Sequence, residues 1–273
     1  MAITNNTLNK LTNLELSIQI SLSGLSFSIL NRNSNSIEFL KEIYFEKKLN
    51  PFEVLDELKL LFLKEEALKK KFANINIIHD NELATLVPKA LFNENQLADY
   101  LKFNSKILKT DFIAYDTILE NDSVNVYVPY TNINNFIYDK YGTFIFKHVS
   151  TVLIESLLQS QKETETNNMY VNVSKNHFEI IAFKKKDLIL YNTFEYHSKE
   201  DFIYYILFTA EQLNLDPETM HLIFLGAISK NDELYNIAYK YIRNINFGDR
   251  HDTFKYTNSP KSPYSNFTLL KSF

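Results

Sequence analysis

One order of predicted elements occurs twice in this chain of 273 residues: strand, tight turn, strand, turn, strand, capped helix, strand. The first copy begins near Leu14 and reaches Ile78, and the second begins near Met169 and reaches Leu225. Three antiparallel strands followed by a crossover helix and a parallel strand give a mixed sheet with helices packed on it. The sequence therefore predicts a mixed α/β fold of two similar halves, each with the ribonuclease H strand order, facing each other across a cleft.

The first copy carries the clearest local signals. From Leu14 to Leu22 every second residue is apolar, which is the period of a half-buried strand. A helix is predicted to begin at Asn50, because Asn is a favoured N-cap, Pro51 suits the first helical position, and Glu53 completes a capping box. These signals predict a strand meander that leads into a capped crossover helix.

The second copy repeats the same signals. Residues 169–173 and 177–183 are predicted strands on either side of the turn Ser174-Lys175-Asn176. Ser198 is the predicted cap of the following helix, with Asp201 at its third position. The alternative is a pair of unrelated α+β domains that share a common hairpin pattern.

The polar stretch 161–168 contains no large apolar residue and is predicted to link the halves, 1–160 and 169–273. The second half ends in a C-terminal tail. Within that tail the two prolines of residues 259–263 exclude regular structure. The apolar residues 267–270 are expected to dock back onto the body of the protein.

Composition excludes several classes of function. The net charge of −4 argues against a nucleic-acid binder, whose footprint would be basic. The absence of cysteine excludes disulfides, thiolate zinc sites and cysteine catalysis.

No targeting or membrane-spanning segment is predicted. The polar start, residues 1–14, does not resemble a signal peptide, and no apolar run approaches the ~18 residues of a membrane span. No membrane insertion and a cytoplasmic location are therefore expected. The histidines form no metal-binding motif, although His177 and His197 could approach each other across neighbouring strands.

Several short motifs, taken in order, carry a resemblance to known proteins. They are Leu16 to Ile29, Tyr170-Val171-Asn172-Val173, His177-Phe178-Glu179 and Phe224-Leu225-Gly226. This arrangement resembles a family of uncharacterised bacterial proteins of unknown function whose fold is that of the actin-like ATPases. The likeness covers nearly the whole chain. The layout is more distantly similar to the actin-like assembly proteins of type IV pili and type II secretion.

The resemblance implies where a nucleotide would bind. In active actin-like ATPases two hairpin turns hold the phosphates, and each carries an Asp that holds magnesium and glycines that let the backbone approach the ligand. Mg²⁺ prefers carboxylate oxygens and water, and phosphates prefer backbone N–H groups. Here the first turn reads Ser21-Leu22-Ser23-Gly24 and the second reads Asn172-Val173-Ser174-Lys175-Asn176. A third segment of those ATPases, a strand that ends in Gly-Gly beneath the adenosine, keeps only the single Gly226 here. Neither hairpin carries an Asp.

These departures predict a non-catalytic actin-like protein that acts as a protein-interaction or assembly factor, with an unidentified protein partner and no cofactor. The alternative is a degenerate nucleotide-binding protein or weak ATPase that uses the cleft for ATP and Mg²⁺. The cleft would then be lined by Ser23, Gly24, Asn172, Ser174 and Gly226. The sequence does not predict the oligomeric state.

Overall fold

The computed structural model describes residues 12–103 and 105–273. Residues 1–11 of the polar N-terminal stretch, which is not expected to be a signal peptide, lie outside these described ranges. Within the described ranges no helix combines the length and the apolar character that crossing a membrane requires.

In each half, three consecutive strands precede a helix. The strands are β1 (Leu14–Ser21), β2 (Gly24–Asn31), β3 (Ser36–Tyr44), β4 (Asn74–His79), β5 (Ala84–Pro88), β6 (Ala114–Ile118), β7 (Ser123–Tyr127), β8 (Ile145–His148), β9 (Asn168–Val173), β10 (His177–Lys184), β11 (Asp187–Glu195), β12 (His221–Gly226), β13 (Asn244–Phe247) and β14 (Lys255–Tyr256). The helices are α1 (Pro51–Lys64), α2 (Leu97–Leu101), α3 (Thr131–Tyr141), α4 (Val149–Gln161), α5 (Lys199–Gln212), α6 (Glu233–Tyr241) and α7 (Phe267–Lys271).

The two large sheets have the same strand order. The first runs β3-β2-β1-β4-β8, with β14 added beside β3, and the second runs β11-β10-β9-β12-β13. In the first sheet β1 pairs antiparallel with β2 and parallel with β4. In the second sheet β9 pairs in the same way with β10 and β12. The predicted ribonuclease H order is therefore confirmed in both halves, and the shared order favours a duplication over two unrelated domains.

A third sheet lies between β4 and α3 and has no counterpart in the second half. Its order is β5-β7-β6, with both pairings antiparallel. It has its own small core of Val87, Leu101, Val124, Val126 and Val128. This sheet lies outside the repeated order of elements that the sequence predicted.

The crossover helices begin where their caps were predicted. The Asn50 side chain accepts the Glu53 N–H at 3.0 Å, and the Glu53 carboxylate accepts the Asn50 N–H at 2.8 Å. Ser198 and Asp201 make the same reciprocal pair in the second half, each bond being 3.1 Å. Because each cap satisfies donors that a helix end leaves free, both α1 and α5 start at a defined residue after the third strand.

The last helix of the first half joins the two sheets. Leu153 and Leu157 of α4 belong to one buried cluster with Ile78 of the first sheet and with Ile181 and Phe183 of the second. The burial of these side chains removes apolar area from water on both sides of the junction. The two halves therefore share a core instead of meeting only at a surface.

The segment predicted as a linker is short and partly buried. The helix α4 continues to Gln161 and β9 begins at Asn168, so only residues 162–167 lie between them. The Asn168 amide donates to the Gln161 side-chain oxygen at 3.0 Å, and both residues are buried. The boundaries of the two halves stay a prediction.

The C-terminal tail leaves the second sheet and returns to the first. Strand β14 pairs parallel with β3, and α7 packs on β1 and β2. Leu270 is buried in a cluster with Leu30 and Ile37 of the first sheet. The predicted docking of residues 267–270 onto the body is confirmed, and residues 257–266 contain no helix or strand.

Candidate functional site

The five residues predicted to line a cleft lie around one cavity of about 360 Å³ between the two halves. Ser23 and Gly24 reach it from the β1–β2 turn, Asn172 and Ser174 from the β9–β10 turn, and Gly226 from the end of β12. The volume is at the lower end of the range of about 300–1,000 Å³ that is typical of ligand pockets. The structure therefore brings the five predicted residues together around one cavity.

The first hairpin closes on its own hydroxyl groups. The Ser21 hydroxyl donates to the Gly24 carbonyl at 3.1 Å and accepts the Ser23 N–H at 3.2 Å. Both serines are buried, and their hydroxyl oxygens are 3.1 Å apart. The turn therefore satisfies its own polar groups at the place where an actin-like clamp would carry its first carboxylate.

The two glycines allow strands to approach closely. A Cβ atom added to Gly24 would lie 2.5 Å from the Ile43 carbonyl oxygen on β3. Gly226 has φ of +80°, and a Cβ there would overlap the Val173 carbonyl oxygen. A side chain is thus excluded at both positions by the protein's own backbone, and at Gly226 also by a conformation that L-residues rarely adopt.

The second hairpin is closed in the same way. The Ser174 N–H donates to the His177 carbonyl at 2.9 Å across the turn. The Asn172 amide donates to Glu179 Oε2 at 2.9 Å, and both side chains are buried. Asn172 therefore binds a carboxylate of the neighbouring strand instead of supplying one.

A third backbone donor at the cleft is used by the C-terminal segment. The Gly226 N–H donates to the Tyr264 carbonyl at 2.9 Å. From α7, the Thr268 hydroxyl donates to the Gln19 side-chain oxygen on β1. The C-terminal segment thus forms one wall of the cavity.

Asp80, His177 and Glu179 form a cluster that the sequence analysis did not predict. Asp80 follows β4 directly, whereas His177 and Glu179 stand on β10 of the other half. The His177 Nε2 atom is 3.0 Å from Asp80 Oδ1 and 3.3 Å from Glu179 Oε1. The packing of the halves brings Asp80 against the His177 ring, and the approach of His177 to His197 stays a prediction.

The charges of this cluster stabilise one another. Burial disfavours protonation of His177, but the hydrogen bond to Asp80 and the nearby charges of Asp80 and Glu179 outweigh it and raise the pKa of His177 well above its ordinary value. Burial likewise opposes ionisation of Asp80, but His177 and the Gln19 amide hold the pKa of Asp80 below its ordinary value. Without a metal ion, the pair is therefore an imidazolium and a carboxylate that join the two halves.

A general signal pointed to Asp80. Functional groups of open α/β sheets gather at the carboxyl ends of parallel strands, and Asp80 is the first residue after β4, which runs parallel to β1. Asp80 belongs to none of the predicted hairpin motifs, and the fold places its carboxylate beside them.

The residues at the hairpins do not fit a magnesium nucleotide. The turns supply hydroxyl and amide groups where such a site needs a carboxylate pair. Their N–H groups at Ser23, Ser174 and Gly226 are occupied by Ser21, His177 and Tyr264. Phosphates need free backbone donors of this kind.

Two sheets of ribonuclease H order, paired across a cleft, define an actin-like ATPase fold, as the sequence resemblance predicted. Residues 3–245 match the family described as "Protein of unknown function (DUF3822)". The chain belongs to that family.

Solved structures agree with this fold. The chain is similar to a protein of actin-like ATPase fold and unknown function from Bacteroides thetaiotaomicron VPI-5482, with 25% identity, 97% of each chain covered and a TM-score of 0.82. It is also similar to a chain of the PilM-PilN type IV pilus biogenesis complex, with 11% identity, coverage of 94% of this chain and 97% of that chain, and a TM-score of 0.62. The second likeness shows the fold alone. No curated protein sequence matches the chain.

Proposed function

We propose that this protein is a non-catalytic member of the actin-like class, which acts in the cytoplasm as an interaction or assembly factor for another protein. The observation that carries the proposal is the internal use of the cleft's polar groups. Asn172 binds Glu179, and the Gly226 N–H binds Tyr264. A phosphate group that used these two donors would have to break the bonds and leave Glu179 Oε2 and the Tyr264 carbonyl without a partner, and each buried polar group left so costs about 1–3 kcal/mol.

An exposed aromatic surface on the second half supports a protein partner. On α5, Tyr204 and Phe208 are 59% and 44% exposed, and their rings stack with centroids 5.8 Å apart. Tyr239 and Tyr241 of α6 are exposed as well. Aromatic side chains are enriched at protein interfaces. The PilM relative is described in a complex with PilN, so the same fold serves protein assembly elsewhere.

Site-specific photo-crosslinking in the native host tests this proposal. A photoreactive residue at position 204 is expected to capture one discrete polypeptide, and Phe208→Ser is expected to abolish the product. Phe52 on α1 is 73% exposed and provides the matched position on the other half. Equal crosslinking at positions 52 and 204, or no product at 204, contradicts the proposed partner surface.

A degenerate nucleotide-binding role is the second candidate, favoured by the two lysines at the cavity. Lys175 and Lys261 both line it, although the Lys175 ammonium already donates to the Phe45 carbonyl at 2.6 Å. Saturable stabilisation by ATP would favour this role, because a ligand that binds only the native state raises the free energy of unfolding.

A further inference from the structure

The cluster of Asp80, His177 and Glu179 has the composition of a metal site. One ligand atom from each residue lies within 4.8 Å of the other two. Imidazole and carboxylate together suit divalent transition metals such as Zn²⁺, whereas Mg²⁺ prefers oxygen ligands. The side chains of Asp80 and Glu179 are 5% and 1% exposed, so the site is closed to bulk water on the carboxylate side.

A proton on His177 Nε2 leaves one carboxylate oxygen of this cluster without a hydrogen bond. The His177 Nε2–H is directed at Asp80 Oδ1, and Glu179 Oε1 is buried without a hydrogen-bond partner. One N–H cannot donate linearly to two carboxylates. Moreover, two carboxylates and one imidazolium leave a negative charge uncompensated, and burial of such a charge is costly. A divalent cation with two carboxylates and a neutral imidazole would be uncharged as a group.

Two of the three distances between the ligand atoms are close to those of a coordination sphere. At metal–ligand distances of about 2.0–2.1 Å, two ligands of a tetrahedral zinc ion lie about 3.3 Å apart. The His177 Nε2 atom is 3.0 and 3.3 Å from the two carboxylate oxygens. A cavity of about 30 Å³ lined by Asp80 and His177 adjoins them. It is large enough for a water molecule to complete the sphere.

The second oxygen of each carboxylate is held by an amide. Gln19 Nε2 donates to Asp80 Oδ2 at 3.0 Å, and Asn172 Nδ2 donates to Glu179 Oε2 at 2.9 Å. Outer partners of this kind orient the ligands of metal sites. They leave Oδ1 of Asp80 and Oε1 of Glu179 directed at His177.

We propose that Asp80 Oδ1, His177 Nε2 and Glu179 Oε1 bind one divalent transition-metal ion of the Zn²⁺ class. Asp80 belongs to the first half and the other two ligands to the second, so the ion would clamp the two halves at the base of the cleft. This role goes beyond the proposed protein-interaction function and does not depend on it.

Metal titration of chelator-treated, full-length protein tests this assignment. We expect Zn²⁺ to raise the melting temperature and to bind with one equivalent by calorimetry. Co²⁺ should give the visible absorption of a tetrahedral site, which Zn²⁺ then removes. Because the Co²⁺ spectrum is recorded on the unaltered protein, the result does not depend on whether a variant folds.

Variants separate the ligands from their surroundings. Glu179→Gln should weaken Zn²⁺ binding by at least about 100-fold, and Gln19→Leu by about 10–100-fold. Glu15→Gln is the matched control, since Glu15 is also a buried carboxylate but pairs with Arg32 at 2.7 Å, and it should bind Zn²⁺ as the unaltered protein does. The absence of both the Co²⁺ absorption and the Zn²⁺ stabilisation, or equal Zn²⁺ affinity in Glu179→Gln, overturns the proposal. Neither result bears on the partner surface around Tyr204.

Discussion

The Asn172 amide donates a 2.9 Å hydrogen bond to Glu179, so the position where the sequence resemblance implies a carboxylate binds one instead. Both side chains are buried, and the bond joins β9 to β10 at the paired residues of the ladder. An amide is required at this place because a second carboxylate would face Glu179 at hydrogen-bond distance. The packing of the second sheet therefore disfavours an acidic residue at position 172.

Replacement of Asn172 by Asp is expected to destabilise the protein by about 3 kcal/mol at pH 8, the scale of an uncompensated buried charge. The new carboxyl group would have a raised pKa beside Glu179, so the folded variant binds more protons than the unfolded chain, and its stability falls as pH rises above about 4. Urea unfolding with a chelator present, at pH 8 and near pH 4, measures the difference. Asn192→Asp, at an exposed position on β11, should cost little at either pH. Equal losses at 172 and 192 would contradict this account.

Gly226→Ala should destabilise the protein more than Gly142→Ala. Both glycines have φ near +80°, but an added Cβ at Gly142 has no atom within 4 Å, whereas at Gly226 it would overlap the backbone of Val173. The Gly142 variant thus reports backbone strain alone, of roughly 1–3 kcal/mol. The overlap should add roughly 1–3 kcal/mol, the usual effect of overpacking. If urea denaturation shows equal losses, the cleft has room that the structure does not provide.

His148 is expected to make the protein sensitive to acid. Its Nε2–H donates to the Asn81 carbonyl at 3.0 Å, and its Nδ1 accepts the Ser150 N–H at 3.2 Å and so caps α4. Burial lowers the pKa of His148 to about 4. Because the unfolded chain then binds more protons below about pH 6.5, stability falls as pH drops from there towards 4, by about 1.4 kcal/mol per pH unit for this residue.

His148→Asn tests this contribution, because an Asn side chain can still cap the helix but does not titrate. Between pH 6.5 and pH 4 the free energy of unfolding should fall less steeply in the variant than in the unaltered protein. The difference in slope should correspond to the uptake of one proton on unfolding. Parallel pH profiles for the two proteins would show that His148 is not the group responsible.

Leu270→Ala should weaken the docking of the C-terminal segment. Leu270 is 3% exposed and packs with Leu30 and Ile37, so its truncation should lower the free energy of unfolding by about 2–5 kcal/mol. Leu119→Ala, at a position that is 71% exposed, should change it by no more than about 0.5 kcal/mol. Limited proteolysis should also cut residues 257–263 faster in the Leu270 variant. An unchanged cleavage rate would mean that α7 is not held by this contact.

Much of the fold could be predicted because its signals are local. The N-caps at Asn50 and Ser198 act within three residues, and the alternation along β1 depends on neighbours alone. That alternation predicted the strand but not its burial, since Glu15 and Ser17 on its polar face are buried as well. Since both halves repeat these signals, the shared strand order followed from the sequence. The predicted cleft residues also lie around one cavity, because they are turn residues at equivalent ends of β1, β9 and β12.

The rest of the site depends on contacts between distant segments. Asp80 and His177 are 97 residues apart, and they meet only because the halves pack through the cluster that contains α4. Strand β14 has two residues, too few for any periodic pattern, and its pairing with β3 depends on the path of the whole tail. Neither relationship has a local signal in the sequence.

Titration with ATP and Mg²⁺, followed by thermal unfolding and calorimetry, tests the central claim that the cleft's polar groups are committed to the protein itself. We predict no shift in melting temperature and no saturable heat at millimolar ATP beyond those of Mg²⁺ alone. A nucleotide present at 100 times its dissociation constant would instead raise the free energy of unfolding by about 2.7 kcal/mol. Such a saturable shift, reduced when Asn172 is changed to Leu, would contradict the account.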